Sequence, residues 1–272
     1  APQGLRIDRQ NRLWVIDHGD HARQTPTLTA IDLERQTVVH RFEFDSEIAP
    51  WGSYLQDLVI DPSDGMVFIA DVSFFRRSPA LIIYNPKTQR ARRFLENDES
   101  VLPENYKIYT PSGPMDRFGG LITMKVGVDS IGIDDRGEWL YYGAMNHRTL
   151  YRIRTADVKQ GLPEVDLRAN RQAYAAKPQS DGITLDQNGA IYLTDIEHGA
   201  IAVISPDRRL STLLRSPKLR WPDGFSFGPG GYLYIADSDI PDLVMTSREQ
   251  VRRAAPYYLF RIKLDVPAVP GH

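Results

Sequence analysis

Five polar residues of this 272-residue chain share one spacing: Gln3, Gln56, Asp129, Asp181 and Asp223. Each stands five positions ahead of a turn residue, respectively Asp8, Asp61, Asp134, Asp186 and Gly228. Crowded carboxylates repel, so a group of this kind favours a cation or retains a proton. Oxygen-rich sets suit Ca²⁺ or another hard divalent cation, or a protonated amine. Asp129, Asp181 and Asp223 are therefore the candidate metal ligands, and all five residues are candidate ligand contacts. Three histidines (His18, His147, His198) follow strands that return to the same end, and Trp51 and Trp221 precede strands that start there. Aromatic faces beside carboxylates can hold a cationic or planar ligand. Each residue also has a plainer role. Asp before Gly often only bonds its own backbone at a turn, aspartates that end strands can tie neighbouring units together, and the tryptophans can be core. The shared register of the three aspartates favours a ligand role for them as a set.

The elements that would position these residues come from one phrase repeated five times. In Gln179–Gly199, QSDGITLDQNGAIYLTDIEHG, a short apolar run meets a turn at Asp186–Gly189 and an alternating run ends at Asp195. Asn-Gly between such runs is a strong hairpin signal, because both residues tolerate positive φ. The other copies begin at Gln3, Gln56, Val128 and Pro222. From turn residue to strand end the interval is nine residues in four copies and ten in the second, ending at Asp17, Asp71, Gly143, Asp195 and Asp237. A third alternating strand follows each hairpin, and a more polar fourth follows several. Recurring units of four short strands predict an all-β fold, a β-propeller.

The expected layout is a single propeller domain over residues 1–265, with blades near 3–44, 53–97, 126–158, 179–216 and 221–265. An extended tail (266–272) follows. The chain opens on an innermost strand and stops after the third strand of its last repeat. That suggests a fragment or processed form of a six-bladed ring, with a complete five-bladed ring as the rival. Residues 97–125 form the longest irregular stretch, of a length typical of functional lids. The segment Asp157–Gln179 is expected to hold short helical turns, and Ser247 to cap a short helix through Ala255.

Composition excludes several classes. The chain is 42% hydrophobic and 25% charged with a net charge of −2, so it has no basic footprint for nucleic acid. No apolar run reaches the length of a membrane span. Zero cysteine rules out disulfides and thiolate chemistry. No signal peptide is visible. No Ser-His-Asp phrase, phosphate loop or HExxH helix occurs, so no catalytic residue is assigned, and no protein partner is indicated.

With GLRIDRQNRLWVIDHG, SYLQDLVIDP, FIADVS, LIIYNP, VGVDSIGIDDRGEWLYYGAMNHRTLYRIRT, QSDGITLDQNGAIYLTD and RWPDGFSFGPGGYLYIADSD in order, the chain resembles the major royal jelly protein/Yellow family. The resemblance implies a six-bladed propeller, extracellular or periplasmic, with a ligand site at one end of the central channel. Some members bind biogenic amines, others sterols, and certain insect members are linked to dopachrome conversion. The chain departs from the family in lacking the cysteines of insect members and the N-terminal region that supplies a blade. SDGI and PDGF are similar, more distantly, to the metal-ligand phrase of gluconolactonase and senescence-marker-type propellers. The expected function is binding of a small aromatic-amine-like or planar ligand at the axial mouth. The alternative is a divalent-metal-dependent hydrolase of lactones or esters.

Overall fold

Four aspartates close four hairpins with their own side chains. Asp8 Oδ1 accepts the amides of Gln10 and Arg12 (2.9 and 3.0 Å), and Asp61 Oδ1 that of Ser63 (2.8 Å). Asp134 accepts those of Glu138 and Trp139 (2.8 and 3.0 Å), and Asp186 those of Asn188 and Ala190 (both 2.9 Å). The second oxygen of two of them reaches into the following strand. Asp8 takes the Trp14 indole N–H (2.6 Å) and Asp186 the Tyr192 hydroxyl (3.0 Å). These side-chain-to-backbone bonds satisfy the turn and fix the register at once. In the fifth copy Gly228 has no carboxylate to offer, and Pro229–Gly231 form a 3₁₀ turn instead.

The computed structural model describes residues 1–117, 122–243 and 246–267. Blade one is β1 (Pro2–Ile7), β2 (Arg12–Asp17), β3 (Thr27–Asp32) and β4 (Thr37–Glu43); blade two is β5 (Leu55–Ile60), β6 (Val67–Asp71), β7 (Ala80–Asn85) and β8 (Arg90–Phe94). Two short ladders follow, β9 (Tyr109–Thr110) with β10 (Gly113–Pro114) and β11 (Asp116–Arg117) with β12 (Ile122–Thr123). Blade three is β13 (Val128–Ile133), β14 (Trp139–Ala144), β15 (Thr149–Arg154) and β16 (Gln172–Ala176). Blade four is β17 (Ile183–Leu185), β18 (Ile191–Asp195), β19 (Ala200–Ile204) and β20 (Leu210–Arg215), and blade five is β21 (Pro222–Gly228), β22 (Tyr232–Asp237) and β23 (Tyr258–Lys263). Every blade is an antiparallel meander in chain order, and the innermost strands β1, β5, β13, β17 and β21 pack side by side in series.

Apolar side chains fill each interface between consecutive blades. Trp14, Ile16 and Leu28 of blade one meet Leu58, Ile69 and Tyr84 of blade two. Phe68 and Leu81 meet Ile131 and Tyr142 across the next seam, Leu150 meets Ile183 and Leu193 across the third, and Ile201 meets Phe225 and Ile235 across the fourth. A blade alone would leave these faces wet, and fully burying one such side chain contributes roughly 1.5–3 kcal/mol.

Blade three runs on to Ala176, beyond the boundary at 158 read from the sequence. Helical turns form at Thr155–Lys159 and Glu164–Asn170 as expected, but QAYAA is a strand pairing with β15. The helix Arg248–Ala254 is capped by Ser247, with Gln250 completing the capping box. Of the tail, residues 266 and 267 are described, the Pro267 carbonyl accepting the Gln187 amide (3.0 Å); residues 268–272 lie outside the described residues.

The innermost strands are irregular at one end. Pairing slips between Pro2 and Leu5, Leu55 and Asp57, Val128 and Ser130, and Pro222 and Phe225. The slipped residues include Gln3, Gln56, Asp129 and Asp223. A bulge re-aims a side chain out of the alternating pattern, here at the mouth of the channel. The strands crowd closely there: a Cβ on Gly182 would lie 2.0 Å from the Asp223 carbonyl oxygen. Gly182→Ala is therefore expected to push blades four and five apart and to lose roughly 1–3 kcal/mol of stability or more. Urea denaturation measures this, and an unchanged midpoint would contradict the close approach.

Candidate functional site at the channel mouth

Aspartates at three register positions have three different jobs. Those in the turns hold hairpins. Those ending the second strands clasp the entry of their own blade: Asp71 Oδ1 accepts the Tyr54 amide and Asp237 Oδ1 that of Trp221 (both 2.8 Å). Asp71 also pairs with buried Arg93 (2.7 Å), and Asp237 with Arg220 (3.2 Å). In blade three Asn146 does this for Val126 (2.8 Å), and in blade four Thr194 for Asp181 (2.8 Å). Asp71 and Asp237 are thus clasps within their own blades rather than ties between neighbouring ones.

The third position carries the chemistry. Asp129 and Asp181 are buried, and Asp223 is half-buried. Desolvation pushes the Asp129 carboxyl well above the usual carboxylate range; the charges of Asp223 and Asp57 push it further, and Lys177 pulls it back. Asp181 is raised by burial and then by Asp223, Asp129 and Asp57, tempered by the Trp221 indole, which donates to its Oδ2 (2.5 Å). Asp223 is raised by burial, with Asp57 and Asp237 adding to this and Ser238 opposing it. The three aspartates singled out by spacing lie within one another's fields.

A fourth carboxylate joins them. Asp57 is raised by burial and held against this by Arg6 of blade one (2.9 Å) and by the Leu58 amide (2.8 Å). The count of five lands on Gln56, one residue short, so spacing alone misses Asp57. Gln56 itself has a buried side-chain oxygen with no partner among the described residues. Tyr54 completes the group. Its phenol is pushed up to about 12 by burial and by Asp129, Asp181 and Asp223, while the Gln3 side chain lies beside it and acts the other way.

Lys177 is the buried cation of the site. Its ammonium donates to the Pro178 carbonyl and the Ser180 hydroxyl (both 3.1 Å), and its stem lies where a Cβ on Gly143 would stand 2.8 Å away. Burial lowers it to about 7 against the pull of Glu104 and Asp129. Gly143, opposite Ser130 on the innermost strand, leaves the room that this stem occupies.

The remaining predicted residues are spread more widely. His18 is buried, 4.3 Å from the Tyr54 ring, and burial keeps it neutral to lower pH. His147 accepts the Thr149 amide (3.0 Å) next to Glu104, and His198 is half-exposed and bonded to Asp195 (2.8 Å). Trp221 is fully buried, whereas Trp51 is 63% exposed. Among the described residues no three histidine, aspartate or glutamate side chains are assembled to hold one metal ion. Asp129, Asp181 and Asp223 therefore share a field without forming a ready set of metal ligands, and one oxygen of Asp181 already belongs to Trp221.

Part of the long excursion roofs this end of the ring. Ile108, Met115 and Val126 pack with Val72, Met145 and Ile196, which follow the second strands of three blades, and with Trp221. Glu197 latches it by accepting the Tyr109 amide (2.8 Å) and the Tyr106 hydroxyl (3.1 Å). No described helix is long and apolar enough to cross a membrane.

The sequence profile named Major royal jelly protein matches residues 1–224. The chain belongs to the major royal jelly protein family. Major royal jelly protein 3 of Apis mellifera is 24% identical over 213 residues, covering 74% of this chain and 37% of the relative. Major royal jelly protein 9 of the same species is 22% identical over 217 residues, covering 76% and 49%. The chain thus spans less than half the length of these two curated relatives. Among solved structures it is similar to a calcium-binding protein, regucalcin, from Agrobacterium tumefaciens (TM-score 0.64, 14% identity, 99% of this chain and 78% of that one). It is also similar to a gluconolactonase from Xanthomonas campestris (TM-score 0.57, 15% identity, 86% and 68%). At these identities the likeness to the two solved structures shows the propeller fold alone.

The raised carboxyls dictate how stability depends on pH. An aspartate whose folded pKa lies above its unfolded value favours the fold while protonated, and that contribution is lost as pH rises from about 4 through the folded value. Asp129→Asn should therefore melt higher than the parent at pH 8, with the advantage vanishing toward pH 4. For Lys177, lowered to about 7, the parent loses stability as pH falls from 10.5 toward 7, so the advantage of Lys177→Met should grow over that window. Thermal melts across pH check both, and parallel curves for parent and variants would contradict the burial of these charges.

Proposed function

We propose that this major royal jelly protein family member binds a small organic cation, an aromatic amine or a similar planar ammonium compound, at the acidic mouth of its channel. The observation that carries the reading is the convergence of Asp57, Asp129, Asp181 and Asp223, each disfavoured as an anion by burial and three of them by the others' charges. Among the described residues the cations that act on them are Arg6, on Asp57, and Lys177, on Asp129. An ammonium group placed among them neutralises the repulsion and can donate to several oxygens at once. The Tyr54 and His18 rings next to the acids supply faces for cation–π contact. Family membership supports an extracellular or periplasmic setting for such a binder.

The second reading, a metal-dependent hydrolase of lactones or esters, is favoured by the calcium-binding protein and the gluconolactonase among the structural neighbours. Asp129, Asp181 and Asp223 would be its ligands for Ca²⁺ or another divalent cation. As the side chains stand they do not fit that role.

The two readings separate in one set of melts. A millimolar aromatic amine should raise the melting temperature, chelator should leave that rise intact, and Asp181→Asn should weaken the amine about tenfold, the loss of one charge-assisted contact. Lactone turnover abolished by chelator, with no amine-induced shift, would support the hydrolase and sink the binder.

A further inference from the structure

Beside the acid cluster the backbone does something L-residues rarely do. Gly19, Asp20, His21 and Ala22 all have positive φ (60°, 52°, 58° and 57°), a complete left-handed turn. Non-glycine residues ordinarily visit this region singly, because Cβ crowds the next carbonyl, and such strain persists where the surroundings enforce it, often at ligand sites. The turn is pinned at both ends: the Ala22 amide bonds the His18 carbonyl (2.9 Å) and the Gln24 amide the Gly19 carbonyl (2.8 Å). Its centre is tied to blade two by the Gly52 amide on the His21 carbonyl (2.9 Å). Gly52 is itself required, since at φ +88° its Cβ would stand 2.9 Å from the Arg76 nitrogen.

This arrangement places His21 among rings. Its imidazole lies 4.8 Å from Tyr54, 5.2 Å from His18 and 4.3 Å from Phe75. Its Nδ1 is buried without a partner among the described residues, so the fold does not satisfy the polar group it strains the chain to present. Phe74 and Phe75 on the adjoining loop are 43% and 52% exposed, and their ring contacts make an aromatic rim continuous with His21. Burial keeps His21 neutral to lower pH, so its face adds no repulsion toward a cation.

We propose that the left-handed turn serves to present His21 and, with it, Phe75 as the ring-recognising edge of the axial site. The flat ring of the ligand lies against these two side chains, and its ammonium group reaches past Tyr54 into the carboxylates. The inference rests on the cation-binding reading above and adds the residues that choose an aromatic amine over an aliphatic one.

Titration calorimetry with 2-phenylethylamine and n-hexylamine tests it, since both probes carry the same charge and differ in the ring. The parent should bind 2-phenylethylamine about tenfold more tightly, the worth of one good aromatic contact. His21→Ala and Phe75→Ala should each remove most of that preference while leaving hexylamine affinity within about twofold. Ala22→Gly, which relaxes the turn and removes no ring, should melt higher and also lose part of the preference. A parent with no ring preference, or variants that keep it, would overturn the assignment and leave the cation site standing. If neither amine binds the parent, the cation reading fails and the ring assignment falls with it.

Discussion

Four carboxylates brought into one another's fields beneath an apolar roof are the constraint on which the rest of this structure turns. Burial disfavours each as an anion, and proximity adds to the penalty for Asp129, Asp181 and Asp223. The compensation supplied by the protein is partial and uneven. Arg6 pairs with Asp57, the Trp221 indole holds one oxygen of Asp181, and Lys177 acts on Asp129 without an ion pair among the described residues. A fold optimised only for stability would replace such a group with apolar side chains. A cluster left this short of compensation favours a positive charge placed among its members.

The propeller geometry builds this group from an undistinguished residue type. Aspartate appears in the turns, at the ends of second strands and on the bulges of innermost strands, and position alone decides its role. In the first two places backbone amides surround the carboxylate, which is thereby satisfied and structural. Asp129 and Asp223 stand on the bulges, Asp57 directly after one and Asp181 just ahead of β17, and there the carboxylates' neighbours include acids from other blades. Bulge and convergence together make a site from residues more than 150 positions apart, Asp57 to Asp223.

Much of this was legible in the sequence, and the gaps have physical causes. The fixed interval between turn and strand end revealed the hairpins, and the count back from the turn found Asp129, Asp181 and Asp223, because strand geometry translates spacing directly into height along the axis. The same count lands on Gln56, the slipped residue equivalent to Asp129, and misses Asp57 because that carboxylate stands one position further on, level with Ser130. Lys177 comes from the loop entering blade four and crosses blade three, so no repeat contains it. Gly143 makes room for its stem, but a lone glycine in a strand does not say what fills that room. His21 was out of reach, because nothing in Gly19-Asp20-His21-Ala22 announces four left-handed residues. The strand QAYAA hid behind two helical turns, its small residues having little β-propensity of their own until β15 offered them an edge.

The central claim is that these aspartates titrate as one buried, mutually repelling group, and carboxyl carbon NMR with labelled aspartate measures that directly. Asp57, Asp129, Asp181 and Asp223 should hold their protons above the usual carboxylate range, Asp129 and Asp181 well above it, the last three should titrate interdependently, and an organic ammonium ion should lower all four. Four independent titrations near the value of free aspartate, unmoved by an ammonium ligand, would contradict the account.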